Sequence, residues 1–347
     1  MSMYVKKKDG TIVESQCETV KVTENTLKNL LDTTKQMHHI VGYSAVLSKA
    51  IDASQLLKFS DTENVIDMSY AFAGELSSND YKYYQNRITH IPLLDTRNVT
   101  NMAYMFAFVH YENNKDGIPL YDTSKVTDMS HLFEGFQYFT LSFNYPNFNT
   151  SNVTNMDYMF SGLYWKDNDN AEKKQGFILP DSLDTHNVTS MSCMFSPQTT
   201  KGSINDGPYR VPMMDTSNVT MMYSMFNGCS VLKSIPLYDT SKAENISYIF
   251  NKCSKLTEIP ALNFSTANFG YNIFGGCSNL EEIHCTGLKI SFDISASTKF
   301  TESALVEILN NLGTPTSSRT LTMGATNLAK LTDEEKAIAT DKGWTLK

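Results

Sequence analysis

The 347-residue chain has six cysteines and no Cys-x-x-Cys pair among them. It therefore lacks the ligand spacing of zinc ribbons and of thioredoxin-like redox sites. No apolar run reaches the roughly 18 residues a membrane-spanning helix needs, so no membrane span is expected. Basic charge is scarce as well. The net charge is −8, and Lys6, Lys7 and Lys8 form the only basic run. A nucleic-acid partner would require a clustered basic face, and none is expected. No apolar segment follows the early lysines, so the start does not read as a secretory signal. The closing Gly-Trp-Thr-Leu-Lys carries no anchoring tail. Both ends fit a cytosolic chain or one that leaves its cell by another route. Catalytic sets are missing too: His38 and His39 adjoin, while His110, His131, His186 and His284 are scattered and read as surface or turn residues. No nucleophile, base and orienting group can be named together. Gly275 and Gly276 lack the surroundings of a phosphate loop. An enzyme, a cofactor and a resident metal are all unexpected.

What the sequence does hold is a repeat. The template Asp-Thr-Ser-x-Val-Thr-x-Met-x-x-Met-Phe comes round eight times, starting at Asp61, Asp95, Asp122, Asn149, Asp184, Asp215, Asp239 and Asn263. Each copy closes on a phenylalanine: Phe72, Phe106, Phe133, Phe160, Phe195, Phe226, Phe250 and Phe274. The steps between them are 34, 27, 27, 35, 31, 24 and 24 residues. Self-similarity at this period is the signature of a solenoid, an α/β stack of short parallel strands and short helical turns. Val, Met, Met and Phe at i, i+3, i+6 and i+7 predict a short helix or 3₁₀ turn with one apolar face. Leu-x-x-Ile before the next Asp-Thr-Ser predicts a strand, kept brief by the proline that follows in several copies.

Cys229, Cys253 and Cys277 lie one 24-residue repeat apart, as a reduced ladder of buried thiols would. The Asp-Thr-Ser steps have two readings. In one, Asp and Thr side chains satisfy local backbone donors and cap the following turn. In the other, Asp95, Asp122, Asp184, Asp215 and Asp239 stack as a column for calcium. The Asn-Val-Thr triplets at Asn98, Asn152, Asn187 and Asn218 recur within the template and read as packing geometry rather than glycan sites.

Insertions follow the closing phenylalanine at about residues 75–88, 107–117, 134–146, 161–178 and 197–211, and they are rich in rings. Repeat insertions map to loops on one side of a solenoid. Tyr81, Tyr83, Tyr84, Tyr111, Tyr138, Phe139, Tyr145, Tyr164, Trp165 and Tyr209 are the candidate ligand-binding residues. Rigid rings with amide and carboxylate neighbours suit a sugar or protein ligand. The competing reading is that the rings tuck the loops onto the stack.

The ends differ from the repeats. Residues 1–55 are expected to form an N-terminal attachment or capping module. It opens with a hairpin closed at Asp9 and Gly10 and contains a helix near residues 23–31. Residues 56–296 hold the solenoid of about eight to nine repeats. Residues 297–347 form a C-terminal cap, with a helix over 301–312, a strand near 320–324, a helix capped by Thr332, and a last strand over 343–346.

The unit Asp-Thr-Ser-x-Val-Thr-x-Met-x-x-Met-Phe, extended in later copies by Gly-Cys-x-x-Leu, resembles the repeat of BspA-like leucine-rich-repeat surface proteins. The likeness spans about residues 60–290. It implies a right-handed leucine-rich-repeat stack whose usual role is adhesion or binding, with no shared catalytic residues. The closing stretch resembles the terminus of such proteins encoded by bacteriophages and prophages, and residues 4–13 are similar to the starts of phage tail and baseplate components. Together these imply a virion component on the particle exterior. Its N-terminal module would contact other virion structural proteins, and its aromatic loops a host-surface glycan or protein. A bacterial cell-surface adhesin and an intracellular interaction scaffold are the alternatives.

Overall fold

The computed structural model describes residues 62–76, 86–111, 118–138, 146–165, 179–197 and 206–347, with the strand segments Ser2–Lys6, Ile12–Gln16, Ile51–Asp52 and Tyr83–Tyr84. The first two segments, β1 (Ser2–Lys6) and β2 (Ile12–Gln16), pair antiparallel from Ser2↔Gln16 to Lys6↔Ile12. This is the hairpin expected there. Its turn and the helix expected near residues 23–31 lie outside the described residues.

Each template copy is bonded to the next by its backbone. The units that close on Phe160 and Phe195 show how. Met156, Tyr158, Phe160 and Gly162 donate their amides forward to Ser190, Ser192, Met194 and Ser196, at 2.8–3.0 Å. The amides between them stay local: Met159 donates to Met156 O, Ser161 to Tyr158 O, and Asp157 to the Asn155 side chain. Every amide from Met156 to Gly162 is thus satisfied, as buried backbone requires. A helix would keep all of these bonds within one segment, so of the expected short helix or 3₁₀ turn it is the i→i−3 turn that is present. The stretch is a chain of turns that alternates with a parallel ladder. Two consecutive i→i−3 turns reproduce the helical spacing of apolar residues, so one pattern fits both. Isolated parallel bridges mark the same column from Asp67↔Asn101 through Asn155↔Ser190 to Asn245↔Phe269.

The interior follows from this backbone. Val153, Met156, Met159 and Phe160 are buried, as are their counterparts in the other copies except Gly270, which stands half-buried at the first methionine position of the last copy. The closing phenylalanines stack face to face from Phe72 to Phe274, with centroids 5.5–6.3 Å apart. Offset stacks of this kind contribute about 0.5–1.5 kcal/mol per pair beyond their area. The residue before each Asp or Asn forms a second buried row: Leu94, Tyr121, Phe148, Leu183, Met214, Tyr238 and Leu262.

Threonine supplies a third row. Thr62, Thr96, Thr123, Thr150, Thr185, Thr216 and Thr240 are at most 2% exposed. Each hydroxyl donates to the backbone carbonyl of the Asp or Asn that opens the next copy, at 2.7–3.1 Å. The expected local cap is therefore half right. Asp and Asn do cap locally, accepting from the amide two residues on, as Asp122 does from Ser124 at 3.0 Å and Asp239 from Ser241 at 2.9 Å. Thr bonds between copies instead.

The template asparagines also reach between copies. Asn98, Asn152, Asn187 and Asn218 donate to carbonyls of the preceding copy at 2.7–2.9 Å, in keeping with a packing role. Where Lys replaces Asn, Lys125 and Lys242 donate to Asn98 and Asn218. Cys229, Cys253 and Cys277 are free, buried thiols that donate to the carbonyls of Phe195, Phe226 and Phe250. Burial pushes their pKa values up, that of Cys277 to about 12.

The remaining strands are short. A five-stranded parallel sheet runs β3 (Ile51–Asp52), β6 (Asn86–His90), β7 (Val109–Tyr111), β8 (Gln137–Tyr138) and β9 (Tyr164–Trp165), while β4 (Glu75–Leu76) and β5 (Tyr83–Tyr84) pair antiparallel beside it in sequence. Two-residue parallel pairs join β10 (Ser182–Leu183) to β11 (Met213–Met214) and β12 (Glu258–Ile259) to β13 (Glu282–Ile283). At the end, β14 (Phe292–Asp293), β15 (Arg319–Thr322) and β16 (Trp344–Leu346) form a parallel sheet. It is accompanied by α1 (Glu302–Asn311), the single-turn α2 (Ala325–Leu328) and α3 (Asp333–Thr340). Thr301 caps α1, and Thr332 with Glu335 forms a reciprocal capping box on α3. Phe292 meets Phe274 edge-on and Trp344 meets Phe292 likewise, which closes the phenylalanine stack.

Candidate functional site: aromatic surfaces

Four of the ring-rich insertions, those following Phe72, Phe106, Phe133 and Phe160, contain short strands near their starts. In the five-stranded sheet, Ile88, Tyr111, Tyr138 and Trp165 share one register column, and Arg87, His110, Gln137 and Tyr164 share the adjacent one. Tyr111 is 1% exposed and its ring lies 6.4 Å from that of Phe136. It is a core residue, and its place among the ligand-binding candidates is corrected. Tyr83 and Tyr84 form β5, while Tyr81, Phe139 and Tyr145 lie outside the described residues. Tyr209 is exposed at 43%. The structure thus brings Tyr111, Tyr138, Tyr164 and Trp165 onto one sheet, with Tyr83, Tyr84 and Tyr209 on other segments.

A second set of rings sits within the template itself, at the position two before its closing phenylalanine. Tyr70, Tyr104, His131 and Tyr158 stack in sequence, with centroids 4.4, 3.9 and 4.5 Å apart. All four occupy the left-handed region, with φ of 59°, 59°, 58° and 57°. That conformation is uncommon for bulky residues. It recurs at Cys193, Ser224, Tyr248 and Asn272 in the later copies, so the turn, rather than the ring, imposes it. His131 Nδ1 lies 2.6 Å from the carboxylate of Glu134, which is buried behind the column. Burial raises the pKa of Tyr70 and of Tyr104. In Tyr158 the hydrogen bond with Cys193 leads, and burial adds to it.

The last copies expose rings instead. At the bridge position where earlier copies carry Asp, Asn or Ser, Met221 and Phe269 are 37% and 58% exposed; two residues on, Tyr223 and Tyr271 are 38% and 70% exposed. Parallel bridges Met221↔Asn245↔Phe269 put this column on one edge of three successive copies, and Tyr248 meets Tyr223 edge-on at 5.9 Å. Exposed Asn268 and Asn272 flank the rings in sequence. Large apolar groups gathered at a surface mark interaction sites more often than single exposed residues do. Aligning the eight copies would have revealed both sets, since the substitutions of Asn by Met221 and Phe269 stand out at a fixed template position.

The aspartates of the template hold their charge locally. The Arg97 guanidinium beside Asp95, the serine hydroxyls of Ser124, Ser217 and Ser241 beside Asp122, Asp215 and Asp239, and His186 beside Asp184 each lower the carboxyl pKa. Each of these carboxylates accepts from its own i+2 amide, which supports the capping reading over the calcium column.

No helix among the described residues is long and apolar enough to cross a membrane. Neither the curated proteins nor the solved structures give a match. A family model described as "Mycoplasma protein of unknown function, DUF285" matches residues 18–113, 76–175, 101–201 and 167–285. The overlapping placements follow the repeat and cover more than half of the chain, and that family is related to the BspA-like repeat proteins. The chain belongs to the family described as Mycoplasma protein of unknown function, DUF285.

Proposed function

We propose that this chain is a non-enzymatic binding protein: a right-handed leucine-rich-repeat-like stack that holds aromatic residues on its surface for a sugar-bearing or protein ligand. The observation that carries the reading is the exposed group Met221, Tyr223, Phe269 and Tyr271. These side chains stand where other copies place Asp, Asn, Ser or Ala, and they remain exposed although the interior rows beside them are complete. An apolar ring face with amides alongside is the chemistry that stacks on a sugar ring and bonds its hydroxyls.

The stack is displayed on the exterior of a bacteriophage particle, at the tail or baseplate, with residues 1–55 as the attachment module. This placement rests on the resemblance of the two ends to phage-encoded proteins. A bacterial cell-surface adhesin is the second reading, favoured by the family's description as a Mycoplasma protein. Binding is tested by applying labelled full-length chain to glycan arrays and to intact bacterial cells; saturable binding is expected, and no binding to either contradicts the function. Immunogold microscopy of a lysing culture then separates the placements. Gold on particle tails supports the virion component, and gold confined to the cell envelope overturns it in favour of the adhesin.

A further inference from the structure

We propose that His284, Glu282 and Glu258 form a binding site for a divalent first-row transition cation, of which zinc is the natural probe. Glu258 and Glu282 are register partners in the parallel pair β12–β13, and His284 follows Glu282 by two residues. One ligand atom from each of the three residues lies within 4.8 Å of the other two. His284 Nε2 is 3.3 Å from the Glu282 carboxylate and 3.7 Å from that of Glu258. In a tetrahedral zinc site with bonds of about 2.0–2.1 Å, neighbouring ligand atoms sit roughly 3.4 Å apart. Small side-chain rotations therefore close the set around one ion.

Two observations separate this group from an ordinary exposed acidic cluster. The first is the donor set, one imidazole nitrogen and two carboxylates, which suits zinc and its neighbours better than calcium or magnesium. The second is Glu307, which comes from a different element, α1, and lies 2.7 Å from His284 Nδ1. A carboxylate on the second ring nitrogen is how metal-binding histidines are oriented, because it fixes the tautomer and leaves Nε2 as the free donor. Here it turns Nε2 towards the two strand glutamates. Like charges in register on adjacent strands repel, and a cation between Glu258 and Glu282 removes that repulsion. The three ligands are partly exposed, with Glu258 and Glu282 at 55% and 57%, so a fourth position is open to water or to an oxygen ligand from a partner. A bound ion would tie β12 and β13 to α1 through Glu307.

The test is calorimetric titration of zinc chloride into the full-length chain, paired with melting curves in the presence and absence of zinc. The parent is expected to bind one ion through this site and to melt at a higher temperature with zinc. His284→Ala and Glu282→Gln should each lose that binding and the zinc-dependent rise in melting temperature. Glu307→Gln, at a positioning residue, should keep the stoichiometry and weaken affinity about 10–100-fold. Cobalt(II) gives a spectroscopic check, since its visible bands should change in Glu307→Gln. Glu282 is exposed, so Glu282→Gln reports on the site even if His284→Ala folds poorly. No saturable zinc binding by the parent, or zinc binding in Glu282→Gln equal to the parent's, overturns the site.

Discussion

The copies that close on Phe106, Phe133 and Phe160 share a phenylalanine row with those that close on Phe226, Phe250 and Phe274, and a threonine row with the first two of these, but differ in insertions and in exposed rings. The earlier copies carry long insertions whose first residues pair as β7, β8 and β9. They also tuck Tyr104, His131 and Tyr158 into a stacked column. The later copies, spaced by 24 residues, carry Ser224, Tyr248 and Asn272 at the column position, add a buried thiol ladder three residues after the closing phenylalanine, and leave Met221, Phe269 and Tyr271 in solvent. Phenylalanine spacing barely changes between the two, at 5.6 Å for Phe106–Phe133 and 5.7 Å for Phe226–Phe250. The threonine bonds are equally constant, at 2.9 Å from Thr123 and 2.8 Å from Thr216. A fixed interior lets the surface vary from copy to copy.

That contrast can be broken most severely at the spine. Phe133→Ala in a long copy and Phe250→Ala in a short one should each cost about 3–5 kcal/mol in denaturant unfolding; a difference above about 2 kcal/mol would show that the two halves are not equivalent inside. Replacing a buried threonine comes next. Thr123→Val and Thr216→Val keep the shape but strand a carbonyl, at about 1–3 kcal/mol each, and equal losses in both halves are expected. Tyr104→Asn removes two ring contacts while suiting the left-handed backbone, as Asn272 does naturally. It should cost about 1–2 kcal/mol.

The smallest effect concerns acid. The folded pKa values of Asp122, Asp215 and Asp239 lie below the unfolded value of about 3.9. Their stabilisation is therefore present above that pH and fades as pH falls through the folded values. Their contribution to the melting temperature should be constant near neutrality and fade below about pH 4. Asp215→Asn should leave it unchanged at neutral pH and reduce the acid drop, because Asn149 and Asn263 already make the same bond to their i+2 amides at 3.0 Å.

Much of the backbone plan was legible in the sequence. The eight closing phenylalanines, the reduced Cys229–Cys253–Cys277 row, the β1–β2 hairpin and the Thr332 cap could all be read from spacing and residue type. Other features could not. Thr216 bonds to the following copy because consecutive copies lie side by side, a fact absent from any single stretch of chain. Tyr111 reads as a surface ring in sequence because it follows a closing phenylalanine, yet its register with Ile88 puts it in the core. The spacing did not separate a short helix from a 3₁₀ turn, because paired i→i−3 turns share the helix's apolar spacing. Glu258 and Glu282 stand one repeat apart and could have been paired from sequence, but Glu307 reaches His284 only through the packing of α1.

The most direct test pairs two readouts on one variant, Phe269→Ser with Tyr271→Ser: binding to the glycan or cell surface that the parent recognises, and thermal stability. Both side chains are exposed, so the unfolding free energy should stay within the range of surface substitutions, about 0.5 kcal/mol, while binding falls more than about tenfold, or roughly 1.4 kcal/mol. Retained binding, or a collapse of stability, would contradict the division between a constant interior and a binding surface.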